Sequence, residues 1–205
     1  MLEALARELD ADFADLPASE RLRLLRAAIP GRIVFTTSLG LEDQVLTHLI
    51  AGTGLDITLV TLDTGRLFPE TLDLLRQTEQ RYQRSITVIA PFKRSVEMLV
   101  KAQGIDGFRH SIPARKSCCE IRKVEPLGRA LAGASAWITG LRSDQSARRG
   151  EVRFASHDAA FRLLKLSPLL DWTREQTAAF AAEHDVPVNP LHARGFLSKI
   201  GRAHV

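Results

Sequence analysis

The chain has 205 residues, 45% of them apolar and 25% charged, with a formal net charge of +4. That length suits one ordinary domain with a real core, and the longest apolar runs are too short to cross a bilayer. Aromatic residues are only 6% and the cations are scattered along the chain, which argues against nucleic acid and for a small anionic ligand met at loop ends.

Residues 1–16 are acidic and amphipathic, with no basic segment ahead of an apolar stretch. They do not read as a secretory signal, and a cytoplasmic location is expected. Leu2, Leu5, Ala6 and Leu9 recur at the spacing of one helix face. Ser19 is expected to cap a second helix through Leu22, Leu24, Leu25 and Ala28, ended by Pro30 and Gly31. Arg32 to Thr37 predicts a buried strand, followed by the turn Ser38-Leu39-Gly40 and a helix face of Val45, Leu46, Leu49 and Ile50 ending at Gly52. Ile57 to Leu62 predicts a second strand, running into Asp63-Thr64-Gly65. Pro69 suits the first turn of a helix reaching Gln83.

Ile86 to Ala90 predicts a third strand and Val96 to Ala102 a helix. Another helix is expected from just after Cys119 to about Leu131, then a fourth strand from Ala136 to Thr139. Residues 143–152 read as a polar loop and Phe161 to Leu166 as strand-like. Thr173 with Gln176 forms a capping-box pattern opening a helix from Arg174 to Glu183. The alternation predicts an α/β fold with a mainly parallel sheet flanked by helices, residues 1–205 forming a single domain.

Ligands of such sheets bind beyond the carboxyl ends of the strands. The turn Ser38-Leu39-Gly40 leads into a helix N-terminus, where backbone N–H groups meet anions; the plainer reading is a tight turn with Glu42 and Asp43 complementing the helix dipole. The second turn offers a carboxylate at Asp63, a hydroxyl at Thr64, a flexible Gly65 and a cation at Arg66; the plainer reading is an Asx-type turn with a solvated arginine. Arg142, Arg148 and Arg149 follow the fourth strand and could fork onto phosphate or sulfate oxygens, or form a solvated basic loop.

Cys118 and Cys119 are the only cysteines. Adjacent cysteines fit disulfide geometry poorly. Their neighbours Arg115, Lys116, Arg122 and Lys123 favour the thiolate, suiting metal or cluster ligation or nucleophilic chemistry. The alternative is a pair of small buried hydrophobes. His48, His157 and His184 form no ligand spacing. His192 alone lies beside another informative segment, Asn189-Pro190-Leu191.

Five ordered segments together resemble one family. They are Leu62 to Leu67, Cys118 to Leu127, Gly140-Leu141-Arg142 with Asp144-Gln145-Ser146 and Arg149, Asp171-Trp172-Thr173, and Val188 to His192. The likeness spans about residues 30 to 198 and is to the adenylyl-sulfate (APS) and 3′-phospho-APS (PAPS) reductases, which share an adenine nucleotide alpha-hydrolase-like fold with ATP pyrophosphatases. The pyrophosphatase Ser-Gly-Gly-x-Asp-Ser turn is altered here, where Ser38-Leu39-Gly40-Leu41-Glu42-Asp43 lacks the second Gly and the final Ser. That disfavours an ATP-consuming ligase or thiolase. A non-catalytic nucleotide binder is the third reading, and a PAPS reductase the alternative within the family.

The cysteine pair implies the APS-using branch, with Cys118 and Cys119 as two ligands of a [4Fe–4S] cluster. The resemblance further implies that Ser38, Gly40, Asp63, Thr64, Arg66, Lys123, Arg142 and Arg149 bind APS. It implies thioredoxin or a similar dithiol as electron donor, with no nucleic acid and no membrane partner; homo-oligomerisation is left open. Family chemistry uses a C-terminal cysteine nucleophile that the 205 residues do not contain. Lys199 to Val205 match the translation of a common short-read sequencing adapter, so native similarity is expected to end at Ser198 and the chain as written is expected not to turn over.

Overall fold

The computed structural model describes residues 2–13, 15–143 and 153–196. Helices α1 (Leu2–Phe13) and α2 (Ala18–Ala28) precede a βα alternation: β1 (Ile33–Thr37), α3 (Leu41–Gly52), β2 (Thr58–Leu62), α4 (Pro69–Tyr82), β3 (Thr87–Ile89) and α5 (Lys93–Gln103). A 3₁₀ turn at Gly107–Arg109 leads into α6 (Ile112–Cys119), a π-helical turn at Glu120–Val124 and α7 (Glu125–Leu131). Strands β4 (Ala136–Ile138), β5 (Ala155–Asp158) and β6 (Leu163–Leu166), helix α8 (Arg174–Glu183) and a 3₁₀ turn at Pro190–His192 complete the described chain.

The six strands form one sheet in the order β3-β2-β1-β4-β6-β5. Every pairing is parallel except β5 with β6. The chain moves outward from β1 to β3, then returns to place β4 on the other side of β1. Strand order therefore reverses at β1, and the crevice beyond the carboxyl ends of β1 and β4 is where such folds take ligands.

Alternate residues along each strand serve opposite faces. Ile33, Phe35, Leu59, Ile138, Leu164 and Leu166 join a large core with α1 to α4 and α8. Val34, Val60 and Leu163 face the other way and pack with Ala130 and Leu131 of α7. Both faces are covered, as a parallel sheet requires.

Most expected elements are present with ends shifted by a residue or two, the usual behaviour of fraying termini. Four differ in kind. Helix α2 begins at Ala18, with Pro17 rather than Ser19 at the N-cap; the fixed proline φ suits that boundary. Helix α5 begins at Lys93 and buries only Leu99, so its first turn carries no apolar signal. The helix expected after the cysteines to Leu131 is present as the π-helical turn and α7, but the helical run starts earlier, with α6, which ends on the cysteines and which Ser111 caps by accepting from Ala114 N at 3.1 Å. The edge strand β5 had no sequence expectation. The expected polar loop lies almost wholly outside the described residues.

Candidate active site

At the end of β1, Leu39 takes a left-handed conformation (φ 59), turning the chain so that Gly40 becomes the N-cap of α3. Asp43, in the first turn, closes this loop back on itself: its Oδ2 accepts from Ser38 N at 2.6 Å and from Ser38 Oγ at 2.7 Å. Burial pushes the Asp43 carboxyl above the usual range, and the Ser38 and Gly40 hydrogen bonds offset only part of this.

Gly140 follows β4 and crosses directly over that helix terminus. A Cβ there would stand 2.2 Å from Asp43 Oδ1 and 3.2 Å from Glu42 Cβ, so only glycine permits the approach. Two residues on, Arg142 is buried at 3% exposure and ion-pairs with Glu42. The ends of β1 and β4 are thus joined by a buried charge pair, whose desolvation is costly unless both partners stay in place.

The second turn is anchored differently. Asp63 Oδ1 accepts from Gly65 N at 2.8 Å, an Asx turn, with Gly65 at φ 69. From the π-helical turn, Arg122 reaches across and donates to Thr64 O at 2.7 Å. Arg122 is buried, and its position ties the residues following the cysteines to the end of β2.

A cleft of about 820 Å³ opens at these strand ends, lined by Ser38, Gly40, Thr64, Lys123, Arg142 and His192 among others. Five of the expected site residues, from four separate segments, therefore share one cavity. Lys123 lies beside both thiols. Burial lowers its ammonium below the ordinary lysine range, and the neighbouring Cys119 and Cys118 pull it partly back up.

Three expectations fare otherwise. Arg66 is not among the cleft-lining residues; it pairs with Asp106 at 3.0 Å, donates to Ile105 O and stacks over Phe108 at 5.2 Å. Asp63 is likewise absent from the lining, its carboxylate being spent on the Asx turn. Arg149, with Asp144, Gln145 and Ser146, lies outside the described residues.

Cys118 is buried against Leu99, Phe108 and Ile121, while Cys119 is half-buried. Among the described residues no group of three or more His, Cys, Asp or Glu side chains stands ready for a metal, and the sequence has no third cysteine. Two adjacent thiols supply half the ligands of a four-thiolate cluster, so these 205 residues do not complete one. Sequence reasoning gave Glu42 and Arg122 only local roles and missed their long-range partners, and it missed the trio Thr36, Trp137 and Lys165, which line the cleft. Their alternation with core positions is a signal only once strand order is known.

A mainly parallel sheet reversing at β1, with helices on both faces, defines an α/β protein of the adenine nucleotide alpha-hydrolase-like class. Yeast FAD synthetase in complex with FAD shares that fold, with a TM-score of 0.56 at 17% identity over 98% of this chain and 74% of that one. Residues 32–205 match the phosphoadenosine phosphosulfate reductase domain, and the chain belongs to that family. It is 48% identical over 190 residues to adenosine 5′-phosphosulfate reductase of Agrobacterium fabrum, covering 93% of this chain and 73% of the relative. The crystal structure of phosphoadenylyl-sulfate (PAPS) reductase from Candida auris, a phosphate complex, superposes with a TM-score of 0.83 at 27% identity, covering 96% of this chain and 94% of that one. Among the described residues, no helix is long and apolar enough to cross a membrane.

Proposed function

We propose that the chain binds adenosine 5′-phosphosulfate and serves its thiol-dependent reduction to sulfite and AMP in sulfate assimilation. The observation that carries this reading is the convergence of Ser38, Gly40, Thr64, Lys123 and Arg142 on one cleft, with Lys123 beside the cysteine pair. The name of the Agrobacterium relative supports it.

In this reading the N–H groups of the first turn of α3 take the phosphate, since helix N–H groups and the dipole favour an anion there, while the Ser38–Gly40 backbone, bonded to Asp43 and Thr37, shapes the turn. Arg142, held by Glu42, fixes the turn beyond β4 and adds positive potential. Lys123 neutralises charge developing on the sulfuryl oxygens. Chemically, an attacking thiolate forms a bond to the sulfuryl sulfur as the S–O bond to the phosphate breaks, and AMP leaves with that electron pair. A dithiol of the thioredoxin type then attacks the cysteine sulfur, displacing sulfite with the S–S electron pair; its second thiol resolves the mixed disulfide. The dithiol is oxidised to a disulfide, the sulfur is reduced, and the cysteine is regenerated as thiolate. The attacking thiolate belongs to the C-terminal cysteine of the family pattern, which the 205 residues do not include. Cys118 and Cys119 would hold two of the four positions of a [4Fe–4S] cluster.

The cysteine pair favours APS over PAPS. Calorimetric titration of the 205-residue chain with each nucleotide tests this: APS is expected to bind at least tenfold tighter. Tighter binding of PAPS by the same factor would overturn the assignment, and binding of neither would overturn the nucleotide reading itself.

A further inference from the structure

Beside the cleft lies a second cavity, about 450 Å³ in volume, that runs along α8. Arg174, Ala178, Ala181 and Ala182 of that helix line it, with Asp185 and Val188 from the chain beyond. It opens to solvent, since Ala178 and Ala182 are exposed and Val188 is 43% exposed. Alanine is the strongest helix former, which explains the helix but neither the groove nor the charges at its ends.

Those charges have the signs that α8 itself disfavours. Arg174 is the first residue of the helix and Asp185 lies two residues past its last, so a cation stands at the positive end of the dipole and an anion at the negative end. Among the described residues neither side chain is paired with an opposite charge. Their placement is symmetric. The steps Arg174–Ala178–Ala181–Asp185 are four, three and four residues, the seam spacing of packed helices, and read the same from either end. A second α8 laid antiparallel therefore brings a carboxylate to each Arg174, a guanidinium to each Asp185, and alanine against alanine between them. Both charges are then neutralised, and each helix end gains the sign its dipole favours. Parallel pairing would set arginine against arginine. Alanines let the two axes approach to about 8 Å, the close limit for packed helices.

We propose that this groove is the docking surface for a second copy of the chain, the two α8 helices lying antiparallel about a two-fold axis between Ala178 and Ala181, with Arg174 of each protomer paired to the partner's Asp185. The interface is isologous, the same patch serving both protomers. Helix α8 has ten residues, and a contact roughly 15 Å long buries far less than the ~800 Å² per partner of a stable complex. The association is therefore weak, with a dissociation constant on the order of 100 µM.

Sedimentation equilibrium of the 205-residue chain from about 10 to 500 µM tests this. The unaltered chain should move from monomer toward dimer across that range. R174D and D185R should each weaken association about tenfold or more, because like charges then meet twice across the axis. An equimolar mixture of the two variants should recover it, since each altered residue then faces its complement. Arg174 also lines the cleft, so mass rather than nucleotide binding is the readout. A chain that stays monomeric at the highest concentration overturns the proposal, as does a dimer indifferent to the single substitutions or one that the mixture fails to restore. Asp185 has φ 49, a conformation asparagine tolerates better than arginine. Should D185R fail to fold, D185N is expected to associate several-fold more weakly than the unaltered chain, and no change would overturn the proposal.

Discussion

Arg122 donates to the carbonyl oxygen of Thr64 at 2.7 Å, joining two segments 58 residues apart in sequence. The guanidinium also packs under Gly65, where an added Cβ would meet its Nη1 at 3.2 Å. The cysteine-bearing turn and the end of β2 therefore hold one geometry together. Arg122→Ala is expected to cost about 2 kcal/mol in urea unfolding, the range for a buried hydrogen bond from a charged donor. It should also weaken AMP binding by loosening the Thr64 side of the cleft. Arg122→Lys, with a single point donor, should recover only part of either.

Two glycines separate close approach from ordinary helix propensity. Gly140→Ala drives a methyl against Asp43 Oδ1 and should destabilise by about 1–3 kcal/mol, the cost of overpacking, while weakening phosphate-end binding. Gly52, at the end of α3, has nothing within 4 Å of an added Cβ. Gly52→Ala should stabilise by about 0.5–1 kcal/mol and leave ligand binding alone. Equal effects of the two substitutions in thermal unfolding would contradict the crossing described for β4.

Removing one partner of the Glu42–Arg142 pair should be costly. Glu42→Ala withdraws its carboxylate from a guanidinium that is 3% exposed, and a loss of about 3 kcal/mol is expected. Exposed pairs such as Lys93–Glu97 provide the contrast, where truncation should change stability by under about 1 kcal/mol. Denaturant midpoints for the two alanine variants make the comparison.

His48 sits among Tyr82, Phe180 and His184, its Nδ1 3.1 Å from the Tyr82 hydroxyl. Burial first, then His184 and Arg81, lower its proton affinity below the ordinary histidine value. The unfolded chain thus binds a proton more readily than the folded one, so stability is present above about pH 6.5 and is lost as pH falls toward the depressed folded value. His48→Gln should flatten that limb of the stability–pH curve. An unchanged slope between pH 7 and 5 would show that other groups set it.

How much of this was legible beforehand depends on how local the cause is. The Thr173–Gln176 capping box appears with both hydrogen bonds, at 2.7 and 3.1 Å, because its partners are three residues apart. The five parallel strands, β1 to β4 and β6, are legible from their apolar runs. Arg66 was not: Asp106 and Phe108, some forty residues on, return to claim its guanidinium. Likewise Gly140 looks like any turn glycine until β4 is laid beside β1 and crosses Asp43. The edge strand β5 is short and mostly half-buried, with no clean alternation to find.

That edge strand has company from the start of the chain. Asp10 of α1 accepts from Ala155 N at 3.1 Å and pairs with Arg153 at 3.4 Å, so a helix carboxylate occupies a backbone donor that another strand would otherwise seek. An open sheet edge is a template for pairing with a second chain. The first helix therefore guards against association as well as adding to the packing: a chain lacking residues 2–13 would present β5 bare, and its first failure would be self-association rather than loss of the cleft at the strand ends.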